Sequence, residues 1–466
     1  MIDNVVNTIS GYLYTPWVPL FLVIAGVFFT IRTGFIQARL LKESIHVVTE
    51  KPKTEGAVSS FGALMVSTAS RVGTGNIVGV AQAICLGGVG AVFWMWVIAV
   101  LGGASAFVES TLAQIYKRRN PDGSSYGGPS YYMETALHQR WLGLVFAVII
   151  ILTYAVGYNA LASYNLQSAF SGFGFYNTTT PVIIGAILAV LFAVCVMGGA
   201  RRLTNVTGVL VPVMGIIYIL VALILVMMNI GKLPSMFGAI FADAFNFKAI
   251  FGGFSGSCLM YGVKRGLYSN EAGMGSAPNA AASADVSHPA KQGLVQMLSV
   301  FLDTLLICTA TAFMCLCSDV VPSAELAGAP YVQAALRSTL GGFGPVFIAI
   351  SMALIAFTTL IGNYYYCEGC LRYILKRAPG KTFMTGFRIV AAVIVFVGAI
   401  ASMSLVWNTA DLLQALMVII NIPVILLLTK PAIAALKDYQ KQRKEGKDPE
   451  FHAADIGLEG KTEFWK

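Results

Sequence analysis

Charge is scarce in this sequence. Only 11% of its 466 residues are Asp, Glu, Lys or Arg, against 57% hydrophobic residues, a balance that excludes a soluble globular chain of this length. Histidine is scarcer still, and His46, His138, His288 and His452 all fall in loop or tail segments, which argues against a histidine-based metal site. The eight cysteines (Cys85, Cys195, Cys258, Cys308, Cys315, Cys317, Cys367 and Cys370) lie in apolar stretches, so no disulfide framework is indicated. Cys367-x-x-Cys370 reads as helix packing and not as a redox or metal pair. A nucleic-acid partner is excluded as well, because the net charge of +9 comes from lysines and arginines scattered through short connections and not clustered on one soluble face. The convergent nucleophile or metal cluster that a membrane-embedded enzyme needs is missing, as is the symmetric pore helix of a channel. What is there is the material of an all-α polytopic membrane protein whose main partner is the lipid bilayer.

A spanning helix needs about 20 apolar residues, and eleven segments supply them: 17–35, 57–86, 89–116, 141–170, 181–199, 205–230, 247–275, 293–318, 343–371, 384–405 and 408–429. The first lacks a basic stretch before it and reads as an anchor helix, not a cleaved signal. With the N-terminus outside, 27 of the 31 lysines and arginines fall in inner connections and the tail, so the C-terminus is expected in the cytoplasm. Only Lys232, Lys248 and Arg337 lie in outer connections, and Arg71 alone stays within a span.

Setting the first helix aside leaves ten spans, which divide into two sets of five. The expected organisation is an N-terminal helix and loop (1–56), a first five-helix repeat (57–230), a second (231–429) and a cytoplasmic tail (430–466), solvated from 437 onward. An odd number of spans per half inverts the second half relative to the first, a plan used by secondary transporters with the site between the first helices of the two halves. Both of those helices carry glycine-rich interruptions: Gly73, Gly75 and Gly79 in the second span, and Gly252, Gly253, Ser255, Gly256 and Ser257 in the seventh. Each glycine costs a helix about 1 kcal/mol relative to Ala, and broken backbone at bilayer depth is tolerated only inside protein or beside a polar cavity. A glycine-lined helix contact is the alternative, but Arg71 and Asn76 within the same apolar segment favour a site. A broken helix exposes unpaired N–H groups on one half and unpaired carbonyls on the other. A small zwitterion with a cation beside it satisfies both.

Four stretches carry a resemblance that runs over nearly the whole chain: Gly73-Thr74-Gly75-Asn76-Ile77-Val78-Gly79-Val80, Gly90-Ala91-Val92-Phe93-Trp94-Met95-Trp96, Gly127-Gly128-Pro129-Ser130-Tyr131-Tyr132, and Arg265-Gly266-Leu267-Tyr268-Ser269-Asn270-Glu271-Ala272-Gly273-Met274-Gly275-Ser276-Ala277-Pro278. In these the sequence resembles the alanine or glycine:cation symporter family, whose fold is that of the bacterial leucine transporter. Arg71 departs from it, since many members carry Thr there. The resemblance implies a symporter of the bacterial or archaeal inner membrane that imports a small neutral amino acid, alanine or glycine, with sodium as coupling ion and no cofactor. Proton coupling or a preference for glutamine is the alternative within the same fold.

On that resemblance the substrate carboxylate is expected on the amides of Gly73, Thr74 and Gly75. The amine is expected near the carbonyls of Ser255, Gly256, Ser257 and Cys258, with Gln167, and Asn165 beside it, reaching the cavity. Sodium is expected on the carbonyls of Ala69, Val72 and Ile355 and the hydroxyls of Thr358 and Thr359, with Asn76 as the next candidate. Adjacent hydroxyls in a helix also bond back to its own carbonyls. Glu109, Asp303 and Glu368 are membrane-embedded or interfacial acids expected either to tie helices or to serve coupling. Arg71 is expected to pair with one of them or to stand where a second cation would sit. Ser269-Asn270-Glu271 reads as an inner gate or a helix cap.

Overall fold

The computed structural model describes residues 2–465 apart from 53, 55, 56 and 122. Among these residues eight helices are long and apolar enough to cross a membrane: Val5–Arg32, Ala91–Ile115, Arg140–Ser168, Asn205–Met228, Pro289–Leu316, Phe343–Leu375, Lys381–Ile400 and Met403–Leu427. Each covers one expected span. The other three expected spans are short or interrupted. The second is Ser60–Arg71 followed by Thr74–Gly87, the fifth is Thr180–Val196, and the seventh is Cys258–Asn270 followed by Pro278–Ala281.

Helix faces sort by what surrounds them. On the sixth span Val209, Val213, Ile216, Leu220 and Leu223 are exposed while Met214, Tyr218, Ala222 and Leu225 are buried, two stripes at the helical repeat. An exposed stripe that is wholly apolar suits hydrocarbon and not water. The third span is the opposite case, because every residue from Gly102 to Ile115 is buried. Its run of small residues lets the seventh and eighth spans close on it: a methyl on Gly102 would lie 2.7 Å from the Ala272 methyl, and one on Gly103 3.0 Å from the Phe301 ring.

The expected seventh span is interrupted at the glycine cluster and a second time further on. Residues 252–256 form a turn that ends one short helix and leads into the next, with open space around Gly252 and Gly256. Ser257 then caps Cys258–Asn270 by accepting from the Met260 amide, the ordinary role of serine at a helix start. The backbone leaves the helix again at 271–277, where Glu271, Gly273 and Gly275 have φ of 53°, 81° and 80°. Glycine is strictly needed there, since a side chain on Gly273 would meet Ile422 and one on Gly275 would meet Asn421 and Phe146.

The tail is folded, with most of its residues from 437 onward exposed. Thr429–Lys444 is a helix that buries Ala432, Ile433, Ala435, Leu436 and Tyr439. Beyond it the Phe451 amide donates to the Ser287 carbonyl, and the Trp465 indole N–H donates to Gln114 O at 2.7 Å. Phe464 and Trp465 box the Lys117 ammonium at 4.0 and 4.9 Å, outside the spans. The side of the molecule on which these contacts lie is called the tail side below.

Candidate functional site: two helix breaks side by side

Hydrogen-bond accounting defines the first break. Ser60–Arg71 ends with the Val72 amide on Thr68 O, and the next amide, Gly73 N, turns back to Arg71 O and to Asn76 Oδ1 at 2.8 Å. The Ala69 carbonyl therefore loses its helical donor. Asn76 N bonds to Gly73 O, which frees the Val72 carbonyl in the same way. Thr74 and Gly75 open the short turn Thr74–Asn76, and the first amides of any helical turn have no partner within it. Carbonyls and amides are thus left on opposite sides of one break, with partial charges of opposite sign. All residues from Ala63 to Ile84 are buried.

The second break packs directly on the first. Ser70 Oγ lies 3.0 Å from Glu271 Oε1 and 2.8 Å from Asn363 Oδ1, joining the second, seventh and ninth spans at one hydroxyl. Glu271 Oε2 accepts from Ser276 Oγ at 2.8 Å. From the third span, Glu109 accepts from Gly273 N at 3.3 Å, from Gly275 N at 3.0 Å and from Asn421 Nδ2 at 2.8 Å. A carboxylate so placed satisfies the loose amides of the second break, the usual use of an anion at unpaired N–H groups. Asp303 accepts from Asn76 Nδ2 at 2.7 Å, Ser269 Oγ at 2.5 Å and Thr304 Oγ1 at 2.8 Å. Each acid ties one break to a neighbouring span.

A family model described as the sodium:alanine symporter family matches residues 1–453. The chain belongs to that family. It is 45% identical over 467 residues to the amino-acid carrier protein AlsT of Bacillus subtilis (strain 168), covering 100% of this chain and 98% of that one. It is 44% identical over 469 residues to the probable sodium/glutamine symporter GlnT of the same strain, covering 100% and 96%. It is 37% identical over 452 residues to the sodium/alanine symporter AgcS of Methanococcus maripaludis, covering 95% and 98%. In this member of the sodium:alanine symporter family, the expected site residues divide into three groups.

Ala69, Val72, Gly73, Thr74 and Gly75 lie at the first break and Thr359 touches it, with Ile355 and Thr358 on the same helix as Thr359. A methyl on Gly73 would lie 2.9 Å from Thr359 Oγ1, and one on Gly362 would lie 2.6 Å from Ser70 N, so the ninth span runs against the first break. Thr359 Oγ1 donates to Ile355 O at 2.8 Å and Thr358 Oγ1 to the same carbonyl at 3.0 Å, which leaves both hydroxyl oxygens as acceptors beside the break.

Asn76 and Gln167 are close in sequence to the site but committed elsewhere. Asn76 accepts from Gly73 N with its oxygen and donates to Asp303 with its amide, so it caps the break. Gln167 accepts from Tyr176 at 2.6 Å. Asn165, two positions earlier, faces the break instead and donates to Thr74 Oγ1 at 2.9 Å. Of the three expected carboxylate donors, Gly73 N is also occupied, which leaves the amides of Thr74 and Gly75.

Gly256, Ser257 and Cys258 lie apart from the break, as does the backbone of Ser255. Cys258 Sγ contacts Asp243 O, and the same Asp243 accepts from Gly90 N at the start of the third span. Their place is taken by Tyr268, which the sequence reading did not single out. Its hydroxyl lies 3.4 Å from Thr74 Oγ1 and its ring stacks edge-on against Tyr158 and Trp407 at 4.8 and 5.3 Å. Arg265, three residues earlier, grips Asp411 with both terminal nitrogens at 3.1 and 3.0 Å and lies 4.1 Å over the Trp407 ring.

Among the described residues Arg71 forms no ion pair with an acid. Its Nη1 donates to Gln296 O and Oε1, both at 3.2 Å, and among the described residues its Nε and Nη2 have no partner. It nevertheless acts electrostatically on Glu109, Glu271 and Asp303, a single fixed cation amid three carboxyl groups.

Proposed function

We infer that this chain is a secondary symporter that imports a small neutral amino acid, alanine or glycine, together with sodium. The observation that carries the reading is the first break itself. Its free Thr74 and Gly75 amides suit a substrate carboxylate, and its free Ala69 and Val72 carbonyls, with Ile355 O, Thr358 Oγ1 and Thr359 Oγ1, supply five oxygens for a hard cation. The sodium ligands would then come from both five-span halves, which explains coupling: an ion that favours the arrangement joining them also favours the arrangement that binds substrate. The N-terminus outside, the C-terminus inside and the inverted relation of the two halves belong to the same proposal, supported by the lopsided distribution of lysine and arginine.

The tight fit of Tyr268 over Gly75 supports a small substrate. GlnT, nearly as similar as AlsT, keeps glutamine as the competing reading, and competition separates the two: alanine should displace labelled alanine and glutamine should not. The decisive experiment is uptake into proteoliposomes with and without a sodium gradient. A zwitterion is neutral, so each sodium carried moves one charge, worth about 2.3 kcal/mol at roughly 100 mV, and a tenfold sodium gradient adds about 1.4 kcal/mol. Uptake should therefore require sodium and rise with an inside-negative potential. Uptake driven equally well by a proton gradient without sodium would overturn the coupling.

A further inference from the structure

On the tail side, where the third, fourth and ninth spans end, a cavity of about 300 Å³ is lined by Arg118, Arg140, Arg372 and Lys376. Three of these four cations lie over tyrosines that share the cavity wall: Arg118 over Tyr131 at 5.1 Å, Arg140 over Tyr373 at 5.3 Å and Arg372 over Tyr126 at 4.8 Å. A ring face holds a guanidinium in place without using its N–H donors.

The acids nearby do not balance this charge. Glu134, also on the wall, takes Arg140 at 3.0 Å and Arg118 at 3.8 Å, and Glu463 lies 3.6 Å from Arg118. Glu368 acts on Arg372 and on Arg388 without forming an ion pair to either among the described residues. Arg372 donates to a neutral partner, Asn120 Oδ1, and Lys376 has no ion pair among the described residues. A second observation is independent of the charges. Tyr131 is 3% exposed and its hydroxyl, buried, has no hydrogen-bond partner among the described residues, which is costly unless something supplies one.

We propose that this cavity binds a phosphate group, carried by an anionic phospholipid headgroup or free in solution. A phosphate offers several acceptor oxygens to the Arg372 fork, the Lys376 ammonium and the Tyr131 hydroxyl at once. The position suits the lipid form, because Arg140 opens the span Arg140–Ser168 and Lys376 caps Phe343–Leu375, the level at which basic pockets between spans meet headgroups. The site is separate from the two breaks, and it stands or falls without reference to transport.

The test is thermal unfolding of the purified full chain in detergent, titrated with short-chain phosphatidylglycerol, short-chain phosphatidylcholine or inorganic phosphate. Saturable stabilisation by phosphatidylglycerol and not phosphatidylcholine is expected. Stabilisation of equal size by inorganic phosphate would identify the free ion, and stabilisation only by the lipid would identify the headgroup. Lys376→Asn and Arg372→Gln should each weaken the apparent affinity roughly fivefold. Lys376 is exposed with φ of 57°, a conformation that Asn tolerates, so this variant should fold even if the other does not. No stabilisation by either anion, or the same affinity in Lys376→Asn as in the parent chain, would overturn the proposal.

Discussion

The ring of Tyr268 lies across Gly75, so close that a methyl built on the glycine would sit 2.5 Å from ring carbons Cδ1 and Cε1. A side chain at 75 must displace that ring, and overpacking of this kind costs about 1–3 kcal/mol. Gly75→Ala should therefore keep the protein folded, as judged by gel filtration and melting, while lowering alanine affinity at least tenfold in equilibrium binding. Unchanged affinity would place the substrate elsewhere.

Thr359→Ala removes a hydroxyl beside the first break without touching the break's own hydrogen bonds. Apparent sodium affinity in sodium-dependent binding should fall about tenfold, or about 1.4 kcal/mol, and most of the alanine affinity should return at saturating sodium. Thr358→Ala should behave alike. Wild-type sodium dependence in both variants would remove these residues from the cation shell.

Asn76→Ala should look different, since Asn76 holds Gly73 N and Asp303. Loss of those bonds leaves buried polar groups unsatisfied, at about 1–3 kcal/mol. The melting temperature should drop by the same amount with and without sodium. A drop that appears only in the presence of sodium would restore Asn76 as a ligand.

Asp411→Ala strands Arg265, 4% exposed, in the interior. Breaking one side of a buried pair costs about 3–5 kcal/mol, whereas replacing both sides by apolar residues is often neutral. The single variant should express poorly, and Arg265→Met with Asp411→Leu should recover folded protein. Equal loss in single and double variants would show that the pair does more than hold the seventh span to the eleventh.

The span positions were legible because apolar length is a property of each segment alone, and Ser60–Arg71 ends at the glycines that the sequence marked. The seventh span shows where that reading fails. Gly252, Gly253 and Gly256 looked like a break, but a glycine cluster reads the same at a turn before a helix as within one. The residues that decide the matter are Glu271, Gly273 and Gly275, whose backbone conformation depends on Glu109, Asn421 and Ile422 from other spans. No local pattern announces those contacts. The contacts of the tail were hidden for a similar reason: Phe451 is buried, and Phe464 and Trp465 half-buried, against residues far away in sequence, while the charges around them read as solvated.

Trp407 sits between the Arg265 guanidinium and the Tyr268 ring, 4% exposed, with its indole N–H unpartnered among the described residues. Of the six tryptophans in the chain, it is the one in contact with the residue that covers the first break. Any rearrangement of Tyr268 changes the charge and the ring next to this indole. The molecule thus contains a native fluorophore at its proposed binding centre, and emission from a chain stripped of the other five tryptophans would follow ligand occupancy with no label attached.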